Sequence, residues 1–136
     1  MRTAVAGVVL AIVTTGAGAG VNGSARWFFT PGPNRASCEM DVGRPGIPTE
    51  VWCVVGPPQI PAGKAVGVTL LATGKLRVCH GVACLGNAPE HTPTLRYGRS
   101  VELGPFRCTS LRTGVRCLVT RLGRGFMLGA RGVSRV

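Results

Sequence analysis

The chain has 136 residues, room for one small domain. It carries 16 Lys+Arg against 5 Asp+Glu, for a formal net charge of +11, and it holds 21 Gly, 10 Pro and 6 Cys. That composition argues against a multidomain enzyme, a coiled coil and a polytopic membrane protein.

The N-terminus reads as an export signal. Arg2 supplies a positive start, and residues 4–13 (AVAGVVLAIV) form an apolar run. The run is too short for a membrane helix, which needs about 20 residues. Small residues follow, as before a signal-peptidase site. Two junctions fit, after Ala19 and after Ala25. Ala25 is preferred because a strand-like aromatic segment begins at Trp27. The expected organisation is a signal peptide over residues 1–25 and a single secreted β domain over 26–136. No later apolar run reaches membrane length, so no transmembrane segment is expected after cleavage.

Residues 26–30 (RWFFT) are dense in β-formers. Residues 37–41 and 50–55 read as two short strands around a Gly/Pro loop, and they carry Cys38 and Cys53. Residues 56–63 (GPPQIPAG) read as an extended surface loop. Residues 66–72 and 75–79 suggest a hairpin turning at Thr73-Gly74. Cys79 and Cys84 enclose a tight loop, HGVA, and 85–93 continues as loop. Residues 94–97 and 101–103 read as short strands on either side of Gly98-Arg99. Residues 106–120 form the clearest hairpin. A turn at Leu111-Arg112-Thr113-Gly114 sets Cys108 opposite Cys117 and Phe106 opposite Val119. Arg107, Thr109, Arg116 and Leu118 then point to the other side. Residues 125–129 form a last strand, and the tail 131–136 reads equally as a basic arm or as a further strand. No window combines a helical period with caps. The fold class is therefore all-β, a small disulfide-stapled barrel or sandwich of short antiparallel strands.

Six cysteines allow 15 connectivities. Strand logic favours the sequential one: Cys38–Cys53, Cys79–Cys84 and Cys108–Cys117. Export favours disulfides over a zinc site at Cys79, His80 and Cys84, so neither a metal nor a cofactor is expected. The segments around Trp52-Cys53-Val54 and Arg116-Cys117-Leu118 also echo each other, as two disulfide-pinched hairpins would.

The string Phe29-Thr30-Pro31-Gly32-Pro33-Asn34-Arg35-Ala36-Ser37-Cys38 resembles the opening of a family of small exported actinobacterial proteins, numerous in mycobacteria. Gly104-Pro105-Phe106-Arg107-Cys108, Gly114-Val115-Arg116-Cys117 and Gly123-Arg124-Gly125-Phe126 follow in that family's order, as does Leu95-Arg96-Tyr97-Gly98. Pro33 and Asn87 depart from the pattern, and residues 56–75 lie outside it. The resemblance implies export and a small disulfide-containing domain. The family has no assigned activity, so no mechanism comes with it.

Catalytic candidates are few. Glu39 and Asp41 lie two apart, so on a strand they share a face. With His80 or His91 they make the candidate set for a small secreted hydrolase. Two acids two apart are more simply a solvated strand face, so no catalytic residue is assigned. No G-x-S-x-G, H-E-x-x-H or phosphate-binding glycine loop occurs.

Charge says more. Residues 94–136 hold nine Arg and one Glu, whereas 26–93 hold six basic and four acidic residues. Fourteen Arg to two Lys is what GC-rich coding yields, but that bias does not account for so few acids. A basic field draws anions, and the Arg fork suits phosphate and carboxylate. The candidate contact surface comprises Arg96, Arg99, Arg107, Arg112, Arg116, Arg121 and Arg124. The expected function is a secreted, non-catalytic binding module. Its partner would be an anionic envelope polymer, a lipid headgroup or a protein outside the cell. Export argues against nucleic acid. The alternatives are the hydrolase and a structural envelope protein without a specific ligand.

Overall fold

The computed structural model describes residues 23–136. Most of the expected signal segment, residues 1–22, lies outside the described residues.

Ten strands follow in order: β1 (Ser24–Phe29), β2 (Ser37–Val42), β3 (Glu50–Val55), β4 (Val66–Leu71), β5 (Leu76–His80), β6 (Ser100–Leu103), β7 (Phe106–Leu111), β8 (Gly114–Val119), β9 (Arg124–Gly129) and β10 (Gly132–Arg135). They form two antiparallel sheets, β1 to β5 and β6 to β10, each strand pairing with its sequence neighbours. The sheets pack face to face around a shared core, so of the two expected architectures the molecule is a sandwich.

Period-two alternation builds that core. Along β7, Phe106, Cys108 and Ser110 are buried, while Arg107 is exposed and Thr109 and Leu111 are half-buried. Phe28, Met40, Val51 and Leu70 from the first sheet meet Phe106, Val115, Phe126 and Leu128 from the second. Fully burying a side chain of this kind contributes about 1.5–3 kcal/mol.

The three disulfides follow the sequential pairing. Cys38 stands opposite Cys53 across β2 and β3, and Cys108 opposite Cys117 across β7 and β8, each pair with Cα atoms 4.1 Å apart. Each sheet therefore carries one disulfide between its second and third strands, which is the echo seen in the sequence. The third bond ties β5 to the 3₁₀ turn Val82–Cys84.

The expected hairpin at 106–120 has the register read from sequence, with Phe106 opposite Val119. Its turn ends on Gly114 at φ 140°, where a Cβ would come within 1.9 Å of the Leu128 carbonyl oxygen. Only glycine fits there. The tail is a strand, since β10 pairs with β9 from Gly132 to Arg135.

Two expectations need correcting. Residues 94–97 are not a strand; only Thr94 makes an isolated parallel bridge, to Phe29. This segment carries the chain from one layer to the other. It bonds the edge of β1 through Phe29 N–H to the Pro93 carbonyl and Leu95 N–H to the Phe29 carbonyl, then turns at Gly98 (φ 79°) into β6. A ladder cannot continue through a change of sheet. Secondly, the first strand starts earlier than residue 26. Ser24 pairs with Val42 and Ala25 with Asp41, so the preferred junction after Ala25 falls inside β1.

Candidate functional site

The outer face of the second sheet carries the pair of arginines that the hairpin register predicts. Arg107 stands opposite Leu118, and Thr109 opposite Arg116, so the two guanidinium-bearing positions lie on the diagonal of one four-residue square. Glu102 continues the first row and Ser100 the second. Met127 extends the second row on the far side of Arg116. Ser100 and Thr109 share a hydroxyl–hydroxyl hydrogen bond of 2.7 Å. A depression of about 340 Å³ lies here, lined by Arg107, Thr109, Leu111, Arg116 and Leu118. The Arg107 Nη1 atom reaches Glu102 Oε1 at 3.7 Å, with both side chains more than half exposed. An exposed pair this long contributes little and leaves Arg107 free to exchange partners.

The other five candidate arginines are all exposed but do not join this square. Arg96 and Arg99 lie in the loop before β6, close to Arg112 in the β7–β8 turn. There Arg112 stacks on the Tyr97 ring, 4.9 Å from its centroid, and Ser110 N–H donates to the Arg99 carbonyl. Arg121 and Arg124 sit at the β8–β9 turn, the opposite end of the sheet. The seven residues therefore form a central pair and two end clusters.

The first sheet's outer face carries a cluster of three carboxylates. Asp41 pairs across β2 and β3 with Glu50, and Glu39 with Trp52, while Trp27 on β1 flanks Glu39 from the other side. Asp41 is almost fully buried, and Arg44 Nη1 bonds its Oδ1 at 2.5 Å and reaches Glu39 Oε1 at 3.5 Å. Burial first, then the Asp41 charge, a hydrogen bond to Asp41, and Glu50 push the Glu39 carboxyl up to about 7, against the pull of Arg44. Burial and Asp41 also raise Glu50, against Arg77.

The histidines do not complete this cluster. His80 pairs with Val66, which in turn pairs with the buried Val55, so His80 has the inner-face parity of β5, opposite to Glu39. His91 is exposed at φ 62° in the connecting loop. Among the described residues, no group of three or more His, Cys, Asp or Glu is placed to hold a metal ion.

Sequence reasoning missed Arg44 and Glu50 as members of the acidic cluster. Accepting Cys38 opposite Cys53 would have set Asp41 opposite Glu50, because register is fixed by one pair. Arg44 sits in the turn beyond β2 and carried no such cue.

No protein-family model, curated protein or solved structure matches the chain. Its all-β class, its three disulfides and the absence, among the described residues, of any helix long and apolar enough to cross a membrane stand on the chain's own structure.

Proposed function

We propose that this chain is a secreted, non-catalytic binding module that meets an anionic ligand outside the cytoplasmic membrane through the outer face of its second sheet. One observation carries the reading: Arg107 and Arg116 project from adjacent strands around a single depression that also offers the Thr109 hydroxyl and the apolar Leu111 and Leu118. Paired forks on a rigid sheet suit phosphate or carboxylate, and the leucines suit the apolar part of such a ligand. Export is supported by the N-terminal pattern, the three disulfides and the resemblance to small exported actinobacterial proteins.

The test uses polyphosphate and, separately, phosphatidylglycerol vesicles. Affinity should fall steeply with salt, and Arg107→Glu with Arg116→Glu should lower it by on the order of tenfold or more. Salt-independent binding, or full affinity in the double variant, would sink the reading. Intact mass of the exported protein, non-reduced and after alkylation, tests the compartment. Cleavage after Ala19 would keep all of β1, whereas cleavage after Ala25 would remove two of its residues.

The hydrolase remains the second reading, favoured by one observation. Glu39 and Asp41 are neighbouring carboxylates that share Arg44 unequally, at 3.5 and 2.5 Å, and burial together with Asp41 raises the Glu39 carboxyl to about 7. If it holds, Glu39→Gln abolishes turnover on a cleavable substrate in a protein that stays folded. Unchanged turnover removes it.

A further inference from the structure

A second cavity, of about 350 Å³, opens on the opposite side of the molecule, over the end of the first sheet. Its floor is one cross-strand row, Phe29 opposite Ser37 and Ser37 opposite Val54. One wall is the Pro57-Pro58-Gln59 segment, folded back by Gln59 N–H and Ile60 N–H donating to the Gly56 carbonyl. The other wall is the stretch from Leu85 to Ala88. The Cys79–Cys84 bond anchors that stretch, with Cys84 N–H donating to the Gly81 carbonyl and Leu85 N–H to the Val82 carbonyl. The walls meet where Leu85 packs on Gly56. Gly86 packs against Trp52, which holds the loop down on the sheet.

The cavity carries a single charge, Arg35. The Arg35 guanidinium lies over the Phe29 ring, 4.3 Å from its centroid. This cation–π contact holds the charge beside the cavity, where its N–H donors can meet a ligand. No carboxylate lines the cavity, and among the described residues none forms an ion pair with Arg35. The remaining polar groups are neutral: the Ser37 hydroxyl and the Gln59 and Asn87 amides. A hollow of this size that sets apolar walls (Phe29, the prolines and Leu85) beside a comparable share of polar lining has the make-up of a small amphipathic-ligand site.

We propose that this cavity binds a compact apolar carboxylate, its body on Phe29 and between the proline and Leu85 walls, its carboxylate on Arg35. A free small acid and the C-terminal residue of a peptide share that chemistry. The staple then has a function: Cys79–Cys84 preforms one wall, so that less ordering entropy is lost on binding. The site is independent of the arginine pair on the second sheet.

The test is NMR titration of the full domain with 4-fluorobenzoate and with N-acetylphenylalanine, each against its neutral amide. Both acids are expected to shift backbone amides of Phe29, Ser37, Val54 and Leu85 to Ala88. The tighter of the two identifies the source, free acid or peptide end. Arg35→Gln should weaken the acids at least tenfold and leave the amides unchanged. Ala88→Phe, which fills the cavity from an exposed loop, should abolish both. The Arg107→Glu, Arg116→Glu protein should bind the acids as before, which separates this site from the proposed basic contact. Shifts confined to the second sheet, equal affinity for acid and amide, or no shift at the lining residues would each overturn the proposal.

Discussion

The Sγ atom of Cys53 lies 4.0 Å from the Sγ atom of Cys117, each from the central disulfide of its own sheet. Both sulfurs are bonded and carry no proton, so this is packing across the sandwich interface. All four core cysteines are fully buried. The two half-molecules, each a five-stranded meander with one cross-strand staple in its core, meet staple to staple.

The first prediction follows from that contact. Replacing Cys38 and Cys53 with alanine should cost about 3 kcal/mol, and Cys108 and Cys117 slightly less, because their closed loops differ in length. The removed sulfurs also leave a void between the sheets. Since the bonds touch, the quadruple variant should depart from the sum of the two double variants by more than about 0.5 kcal/mol. Urea unfolding of the four proteins measures this. Strict additivity would show that the sheets are not coupled through the sulfurs.

Asn34 ties the β1–β2 loop to the second sheet. Its Nδ2 donates to the Arg112 carbonyl at 3.1 Å, and its Oδ1 accepts from Ala130 N–H at 3.0 Å. Asn34→Ala removes both bonds and should lower stability by about 1–3 kcal/mol. Asn34→Asp keeps the acceptor and should fall between. Hydrogen exchange at the Ala130 amide should speed up in the alanine variant and much less in the aspartate variant.

Ser110 is buried on the inner face of β7, and among the described residues its hydroxyl has no hydrogen-bond partner. Burying an unsatisfied hydroxyl costs about 1–3 kcal/mol. Ser110→Ala keeps the backbone bonds to the Gly98 and Arg99 segment and should therefore leave stability equal or raise it. A clear loss in thermal unfolding would show that the hydroxyl has a partner in solution.

Stability should fall as pH rises from about 4.5 to about 7. Glu39 ionises near 4.5 in the unfolded chain and near 7 in the folded one, so the folded state holds the proton more tightly over that window. The stabilisation is complete below the unfolded value and lost through the folded one. Glu50 acts in the same direction. Glu39→Gln should flatten the slope and raise stability above pH 7. Denaturation midpoints across this range measure both effects, and an unchanged slope in the variant would assign the titration elsewhere.

Much of the fold was legible because β structure writes itself locally. Alternation along 106–111 and 114–119, with cysteines at matching offsets, gave strand, register and disulfide together. Residues 94–97 have equally strand-like composition yet form a crossing, because whether a short run pairs depends on which edge lies beside it. The division of the arginines was equally hidden. Only the alternation around Arg107 and Arg116 is local, and the placing of Arg96, Arg112 and Arg124 at opposite sheet ends depends on the turns.

By itself the sequence determined the all-β class and the outward side of the last long hairpin, and it favoured the sequential pairing of the six cysteines that the structure holds. Each rests on contacts between residues close in the chain, where a period of two and a glycine turn suffice. Tertiary structure alone decided that the sheets meet on their disulfides. It also decided that a stapled loop closes a cavity over Phe29 and Arg35. Those arrangements join segments far apart in the chain, and only the packing of one sheet on the other, and of the connecting loop back across the first, selects them.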